Sequence, residues 1–573
     1  MEYALKWVRI LYIASAFVTD APSKPSRSLA RIATIVAITT LISKVTGAAR
    51  QMATAAVFGV GPAVGAYGFA YAIPSFFLIL LGGINGPFHS AIVGVLAKKE
   101  RRDVKPVIET ITTLLVGLLL LVTIGLIVFA EPILRFTASG LFISPEETLR
   151  QGIDPATYAV TQQTRLIAIT QFKIMAPIAL FSGLIGIGFG ALNAADIYWM
   201  PSISPIFSSV AVMIGLGLFA LHLGPAASLS ANALLGGQVL AWATLAGAVA
   251  QWLIQLPVQW QAGLGTLKPH WQWQHPDVRA VLKVLGPATF ASGMLQINVQ
   301  IDIFFSSLIP NATAAVSAWS YANFLVMAPL GILSNTILVP FFPVFSHLAT
   351  SGQWDDLKSR IRQGIVMTAV AMLPLGALMI ALALPIVRLV YERSAFNAEA
   401  SQLTASILIA YGMGMFVYLA RDLLVRVFYA LGDGTTPFRI SLVSILFIIL
   451  FDFLFVKPFG APGLVLATIG VNIFSMVVML WFLSKRLRGL KLHSWIQPLM
   501  GLTGASALSG LVAWGLWTGT DTVWGSQGFL LLLINLGIAA LGGFMVYGLA
   551  AKQLGIPEVQ VCLTRMRAKI PFL

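Results

Sequence analysis

The chain has 573 residues, of which 58% are hydrophobic and 10% are charged, and its formal net charge is +15. Soluble globular proteins carry about 25% charged residues, so the composition excludes an ordinary soluble protein. A single cysteine, Cys562, excludes a disulfide framework and every multi-cysteine metal site. The basic residues form short clusters between apolar runs rather than one amphipathic face, which argues against a nucleic-acid-binding protein.

The first 29 residues combine several bases with a short apolar stretch at 10–18. A cleaved signal peptide is one explanation, but the apolar stretch is short for that role. We expect a cytoplasmic or interfacial segment, because Trp7, Leu11 and Tyr12 beside bases suit the membrane surface.

Apolar segments follow in regular succession, and about 20 apolar residues suffice to cross a bilayer. They predict an all-α integral membrane protein with fourteen transmembrane helices, called spans one to fourteen below. The predicted spans cover residues 30–50, 64–96, 107–129, 165–192, 201–221, 233–257, 278–308, 312–345, 364–390, 401–430, 438–456, 461–483, 496–518 and 527–550.

Basic residues are distributed unequally between the two sets of loops. Most lie at the two termini and in the even-numbered loops, for example at residues 98–105 and 485–491. The odd-numbered loops hold only Arg135, Arg150, Arg165, Arg388, Arg393 and Lys457. Cytoplasmic loops carry the excess of Lys and Arg, so we predict that both termini are cytoplasmic.

Two stretches about 240 residues apart repeat one pattern. Residues 190–193 read GALN and precede Pro201, and residues 429–432 read YALG and precede Pro437. Because six spans lie in each half, the pattern predicts two parallel six-helix repeats around a central cavity. We therefore expect a two-lobed transporter rather than a channel or an anchored enzyme. Its parts are an N-terminal lobe at 30–257, a C-terminal lobe at 278–483, two further helices at 496–550 and a cytoplasmic tail at 551–573.

A few charged residues fall inside the predicted spans, where each costs about 2.5–3.5 kcal/mol on insertion scales. Such residues are candidates for function: Lys44, Arg50, Lys173, Arg421, Arg426, Asp302, Asp422 and Asp452. Simpler explanations exist for some of them. Arg50 and Lys173 can snorkel to water near a span end. The i, i+4 pair of Asp422 and Arg426 can neutralise itself.

Asp302 and Asp452 have no base at helical spacing. Each is therefore protonated, paired across helices or bound to a cation.

Span two contains several helix-breaking residues. Pro74 lies within it, and residues 82–87 read GGINGP. Since proline and paired glycines bend helices, and broken helices at membrane depth line cavities, we predict a kink near residues 82–87 that opens sideways to lipid. Asn85 and His89 are then candidate cavity residues, although a lone histidine is more often a packing residue.

Several dispersed motifs together resemble the lipid II flippase family MurJ (MviN). Residues 43–50 (SKVTGAAR) resemble its first-span signature. Further matches are Phe58-Gly59, Pro74, the stretch 296–302, the stretches 317–322 and 329–340, and the stretch 428–437 with Asp433. The resemblance runs from about residue 28 to the end of the chain. It implies the fold of the multidrug/oligosaccharidyl-lipid/polysaccharide exporter superfamily, with a groove for a lipid tail formed by spans thirteen and fourteen.

The resemblance also implies site residues. Lys44 and Arg50 match the family's first-span bases, and with Asn85, His89, Lys173, Arg421 and Arg426 they form the expected substrate site. Asp302, Asp452 and Thr468 match a sodium site found in some members, although Ile448 replaces its Asn. Other family charges are absent, because Gln51, Gly65, Leu78, Gly83 and Phe324 occupy their positions.

The expected function is to move a polyprenyl-pyrophosphate glycolipid, lipid II, from the inner to the outer leaflet of the bacterial plasma membrane by alternating access. Its expected partners are this glycolipid, membrane lipids and cell-wall synthesis proteins. No cofactor is expected, and sodium is the candidate coupling ion. The missing charges leave a flippase for another polyprenyl-linked glycan, such as an O-antigen or exopolysaccharide unit, as one alternative. A non-transporting scaffold of cell-wall assembly is another.

Overall fold

The computed structural model describes residues 27–83, 87, 91–93, 101–150, 152–264 and 268–560. Across these ranges the chain forms helices joined by short loops, and no β-strand occurs in them. Of the interfacial segment predicted at residues 1–29, residues 1–26 lie outside the described residues.

The helices of the first seven spans overlap the predicted segments, with described ends that differ by up to ten residues, and the predicted end of span two lies outside the described residues. They are Arg27–Phe58, Pro62–Ala70 with Ala72–Gly82, Arg101–Val128, Pro155–Met175 with Ile178–Ala194, Pro205–Leu223, Ala233–Leu253 and Pro276–Ser307. Short helices Ala130–Thr137, Pro145–Arg150, Trp199–Ile203 and Leu256–Gln261 lie in the connections.

The remaining spans follow the same correspondence. Their helices are Ala312–Leu333 continued by Val339–Thr350, Trp354–Ala381 continued by Ala383–Tyr391, Ala398–Ala430, Thr435–Phe459, Ala461–Arg486, His493–Trp524 and Phe529–Gln553. The two parts of span eight are joined by a π-helical turn, Ser334–Leu338.

Ten of these helices are long and apolar enough to cross a membrane, and two bent pairs bring the number to as many as twelve. Predicted spans one and seven correspond to two further helices of 32 residues each. The all-helical membrane fold is therefore confirmed, and fourteen spans are consistent with it.

Spans two and four are bent for the same reason. Span two bends by 47° at Tyr71, and span four by 41° between Met175 and Ile178. Pro74 and Pro177 lack the amide proton that would bond to the carbonyl four residues earlier, so the helix is interrupted just before each proline. A second interruption follows at Gly83, whose backbone is extended, within the region where the kink was predicted.

The chain folds into two compact units. The first unit contains the described residues through Ser317 together with Arg393–Asn397. The second contains Ala318–Glu392 and the described chain from Ala398 onward. The division falls within span eight, whereas the predicted lobes meet between residues 257 and 278.

In the first unit, span one packs on span five, span two on span four, and span six on spans four and five. Buried glutamine Gln171 ties three of these helices together, because its amide donates to the carbonyls of Ala63 at 3.1 Å and Gly237 at 2.9 Å.

A loop segment also belongs to this unit. The amide of Ala395 donates to the carbonyl of Ala56 at 3.1 Å. Gly59 makes this approach possible, since it has φ +55° and a Cβ there would lie 2.4 Å from the Ala395 oxygen.

In the second unit, span ten packs on spans nine and twelve, and span thirteen packs on spans nine and fourteen. The hydroxyl of Tyr547 donates to the Val370 carbonyl at 2.9 Å, and that of Ser509 to the Gly543 carbonyl at 2.7 Å. These bonds fix the last two spans to span nine. Their opposite faces expose apolar side chains, including Leu508, Leu511, Trp514, Leu541 and Met545.

Candidate functional site

Span one carries the two basic residues that the sequence singled out. The Lys44 side chain is exposed and that of Arg50 is half-buried. Within the described part of the chain, no carboxylate forms an ion pair with either residue. Both cations are therefore uncompensated by protein groups in these ranges, and an anion is the chemical partner they lack.

Two tyrosines of span two accompany Arg50. Tyr67 and Tyr71 are one helical turn apart, and their rings stack with centroids 5.0 Å apart at an interplanar angle of 16°. The charge of Arg50 lies close enough to act on both hydroxyl groups. Span six contributes Thr244, whose hydroxyl is 3.3 Å from that of Tyr67. A guanidinium beside phenol hydroxyls is suited to hold an anion through charge-assisted hydrogen bonds.

Reasoning from charge alone missed these tyrosines. The available signal was that Tyr67, Tyr71 and Ser75 are the only polar side chains in the described part of span two, and that the tyrosines have i, i+4 spacing.

Lys173 lies in the last turn of Pro155–Met175, directly before the bend of span four. Its side chain is exposed, and its position suits the negative end of the helix dipole. The snorkelling explanation and the substrate role are both compatible with this position, so its role stays a prediction.

The charged group of span ten is arranged differently from the expected i, i+4 pair. The Asp422 carboxylate contacts its neighbour Arg421 at 3.2 Å, and Arg421 also donates to the Ser441 hydroxyl of span eleven at 3.5 Å. No ion pair with Arg426 forms, although both residues are described. Arg421 therefore takes the place beside the exposed Asp422 carboxylate that Arg426 was predicted to fill.

The two intramembrane carboxylates are both buried. Asp302 is 7% exposed in the first unit, and Asp452 is 0% exposed in the second unit. Thr468 also belongs to the second unit, and its hydroxyl donates to the Leu464 carbonyl at 3.0 Å. No cluster of three His, Cys, Asp or Glu side chains that could share a metal occurs among the described residues. The sodium site stays a prediction.

One position of a missing family charge has a steric explanation. A Cβ at Gly65 would lie 2.5 Å from the Thr313 methyl group and 2.7 Å from the Thr313 carbonyl oxygen. Thr313 is itself fixed by a 2.9 Å hydrogen bond to Thr164. Span two therefore approaches the start of span eight too closely for any side chain at position 65.

Asn323, within the span-eight motif, accepts a hydrogen bond from the Tyr411 hydroxyl at 3.3 Å. Asn85 and His89, the other predicted site residues, lie outside the described residues.

Asp433 has a structural role outside the spans. Its carboxylate accepts hydrogen bonds from the Thr436 amide at 3.0 Å and from the hydroxyls of Thr435 and Thr436 at 2.9 and 2.7 Å, which caps span eleven. Arg486, at the end of span twelve, donates to the same carboxylate at 2.8 Å. The motif at residues 428–437 thus holds the turn between two spans.

The fold and the site together define a polytopic helical membrane protein with uncompensated basic side chains in its spans. A family model described as "Lipid II flippase MurJ" matches residues 54–535. The chain belongs to this family, whose members are transporters rather than enzymes.

Curated relatives agree with that assignment. The chain is 49% identical over 549 residues to a probable lipid II flippase MurJ of Synechocystis sp., a match that covers 95% of this chain and 98% of the relative. It is 28% identical over 489 residues to the lipid II flippase MurJ of Burkholderia cenocepacia, covering 83% and 88% of the two chains.

Solved structures show the same fold. A lipid II flippase MurJ in an inward closed conformation superposes with a TM-score of 0.70 and 20% identity, covering 91% of this chain and 99% of that one. An inward-facing multidrug resistance MATE family transporter of the MOP superfamily has a TM-score of 0.60 and 15% identity, covering 78% and 95%. The predicted superfamily fold is confirmed.

Proposed function

We propose that this protein flips lipid II from the inner to the outer leaflet of the bacterial plasma membrane by alternating access. The observation that supports this most strongly is 49% identity to a probable lipid II flippase along 95% of the chain. Lys44 and Arg50, which match the family's first-span bases, remain in place and have no carboxylate partner among the described residues.

The chemistry of the substrate matches this arrangement. A polyprenyl-pyrophosphate glycolipid combines an anionic head with a long apolar tail. Arg50 and Lys44 would bind the pyrophosphate through charge-assisted hydrogen bonds. The exposed apolar faces of spans thirteen and fourteen would receive the tail, because they offer hydrocarbon surface without charged side chains. No covalent bond is made or broken in this reaction.

Both termini lie in the cytoplasm in this proposal, since the clusters of Lys and Arg adjoin the termini and the even-numbered loops. Reporter fusions at the two termini, in the loop between spans three and four (loop three) and in the loop between spans four and five (loop four) test the orientation. A reporter active only outside the cytoplasm should be silent at either terminus and active in loop three, which holds Arg135 and Arg150.

Complementation tests the function. The chain is expressed in a bacterium whose own lipid II flippase is depleted, and growth is scored. We expect growth with the wild-type chain and none with Arg50→Ala at equal membrane abundance. Arg360→Ala is the matched control, because Arg360 is an exposed base near the start of the span-nine helix that bonds only to Gln363 in the described chain. Failure of the wild-type chain to support growth, despite normal insertion, would count against the function.

One observation favours a second cargo. Positions 65, 78, 83 and 324, where the resemblance to the family implies charged side chains, hold Gly, Leu, Gly and Phe. A flippase for another polyprenyl-pyrophosphate glycan fits this loss as well. Complementation of an O-antigen or exopolysaccharide flippase mutant, in parallel with the lipid II assay, separates the two cargoes.

A further inference from the structure

Span two offers few polar atoms to any ligand. In its described residues the polar side chains are those of Tyr67, Tyr71 and Ser75. The Ser75 hydroxyl donates to the Ala72 carbonyl at 2.9 Å, and the Tyr67 hydroxyl is hydrogen-bonded to Thr244. Thr244 has the Leu240 carbonyl as the closer acceptor for its own proton, at 2.7 Å. The Tyr67 oxygen therefore already has Thr244 as its hydrogen-bond partner.

The Tyr71 hydroxyl differs from the other two. It has no hydrogen-bond partner within the portion of the chain that the structure describes. Its side chain is half-buried rather than enclosed, and its oxygen lies within the field of the Arg50 charge. A free phenol donor within the field of an uncompensated guanidinium suits an anion, since both groups donate and neither supplies negative charge.

We infer that the Tyr71 hydroxyl donates a hydrogen bond to the same anionic head group that Arg50 binds. This rests on the proposed function for the identity of the head group, a pyrophosphate diester. The binding chemistry itself requires only a phosphate oxygen. Tyr71 is a specificity residue in this arrangement, since its hydroxyl adds a donor to a span that has no charged side chain among its described residues.

Tyr67 acts through Tyr71 and is a positioning residue. The stacked rings fix the plane of Tyr71, and the bond to Thr244 fixes Tyr67 on span six. Tyr71 also occupies the joint of the 47° bend in span two. The hydroxyl is thus carried by the residue at which the two halves of the helix change direction, so its position relative to Arg50 depends on the bend.

The test uses the full chain purified in nanodiscs, with inorganic pyrophosphate as the probe. Calorimetry should give an affinity for pyrophosphate that falls about 10-fold or more in Tyr71→Phe, because a hydrogen bond to a charged group is lost while the ring remains. Arg50→Gln should lower the affinity for pyrophosphate further than Tyr71→Phe does. Tyr158→Phe is the matched control, since Tyr158 also belongs to the first unit but lines a separate cavity of about 380 Å³ beside Glu147.

Two further variants separate binding from positioning. Tyr67→Phe keeps the stack and loses only the Thr244 bond, so its affinity should change less than 3-fold. Tyr67→Leu removes the stack and should weaken binding several-fold although the Tyr71 hydroxyl is intact. In vesicle flipping assays, Tyr71→Phe should raise the half-saturating lipid II concentration and leave the maximal rate nearly unchanged. Melting curves identify any variant that fails to fold.

The ways in which the test can fail are distinguishable. Equal pyrophosphate affinity of Tyr71→Phe and the wild type, with both folded, overturns the inference and leaves the flippase proposal untouched. Absence of pyrophosphate binding by the wild type also overturns it. A wild type that binds pyrophosphate in a Tyr71-dependent manner but does not flip lipid II supports the site and refutes the proposed function.

Discussion

Arg486 donates to the Asp433 carboxylate at 2.8 Å and to the Leu431 carbonyl at 3.1 Å, so the end of span twelve holds the turn that begins span eleven. Burial alone would raise the pKa of Asp433. The hydrogen bonds from Thr436 and Thr435 and the charge of Arg486 outweigh burial and lower this pKa to about 2.

This geometry predicts a specific dependence on pH. Because the folded-state pKa lies below the ordinary value of 3.8, the contribution of Asp433 to stability is complete above pH 3.8 and is lost as the pH falls towards 2. Thermal unfolding of the wild type and Asp433→Asn should therefore differ at pH 6 and converge near pH 2. Asp433→Ala, which also removes the cap, should cost about 1–2 kcal/mol. Curves that keep the same separation at every pH would contradict this role.

Gly65 gives a steric prediction. Gly65→Ala should destabilise the protein by about 1–3 kcal/mol, because the new methyl group would meet the backbone of Thr313. Gly65→Asp, with its larger side chain, should destabilise the protein further. Gly117→Ala is the control, since nothing lies within 4 Å of a Cβ there, and it should be neutral or stabilising. Denaturation followed by intrinsic fluorescence measures both, and equal melting of Gly65→Ala and the wild type would argue against the close approach.

The sequence predicted the spans well because each is a long apolar run, and a run of that kind has no stable alternative to a helix in lipid. It also located the break at Gly83, since glycine and proline act locally. Pro74 was recognised as a helix-breaking residue, but the kink was placed at residues 82–87, whereas the 47° bend lies at Tyr71, upstream of the proline. Tyr67 and Tyr71 were missed because their roles depend on Arg50 and Thr244, which approach them only in the folded unit.

Arg50 and Lys44 are expected to contribute unequally to transport. Arg50 is half-buried, whereas Lys44 is exposed. Arg50→Ala should abolish flipping at normal membrane levels, and Lys44→Ala should reduce it less. Arg50→Lys should retain partial activity, since lysine keeps the charge and loses the bidentate geometry. Full activity of the double alanine variant would exclude both residues from the substrate site.

The membrane potential favours outward movement of an anionic cargo, because the cell interior is negative. Moving one charge through 100 mV is worth about 2.3 kcal/mol, so a head with two charges would gain roughly 4–5 kcal/mol if it crossed the whole field. We expect flipping in vesicles to stop when an ionophore collapses the potential. Unchanged flipping would show that another gradient or the substrate concentration drives transport.

Sodium binding at the carboxylates has its own test. If Asp302, Asp452 and Thr468 bind sodium, sodium should raise the melting temperature of the purified protein relative to potassium. Asp452→Asn should remove that increase. Equal melting in the two salts would favour protonated carboxylates, because burial of the Asp452 side chain makes its charged form costly.

The hydrogen bond from Ala395 to Ala56 has a consequence for synthesis of the chain. Domains fold from the N-terminus as they emerge from the ribosome, yet the first unit takes in Arg393–Asn397, which is translated after spans eight and nine. The contact at the Ala56 carbonyl and Gly59 can therefore form only after a segment more than 300 residues further along the chain has been translated. A fragment that ends at Ser317 would contain every other residue of the first unit and would leave this position uncovered.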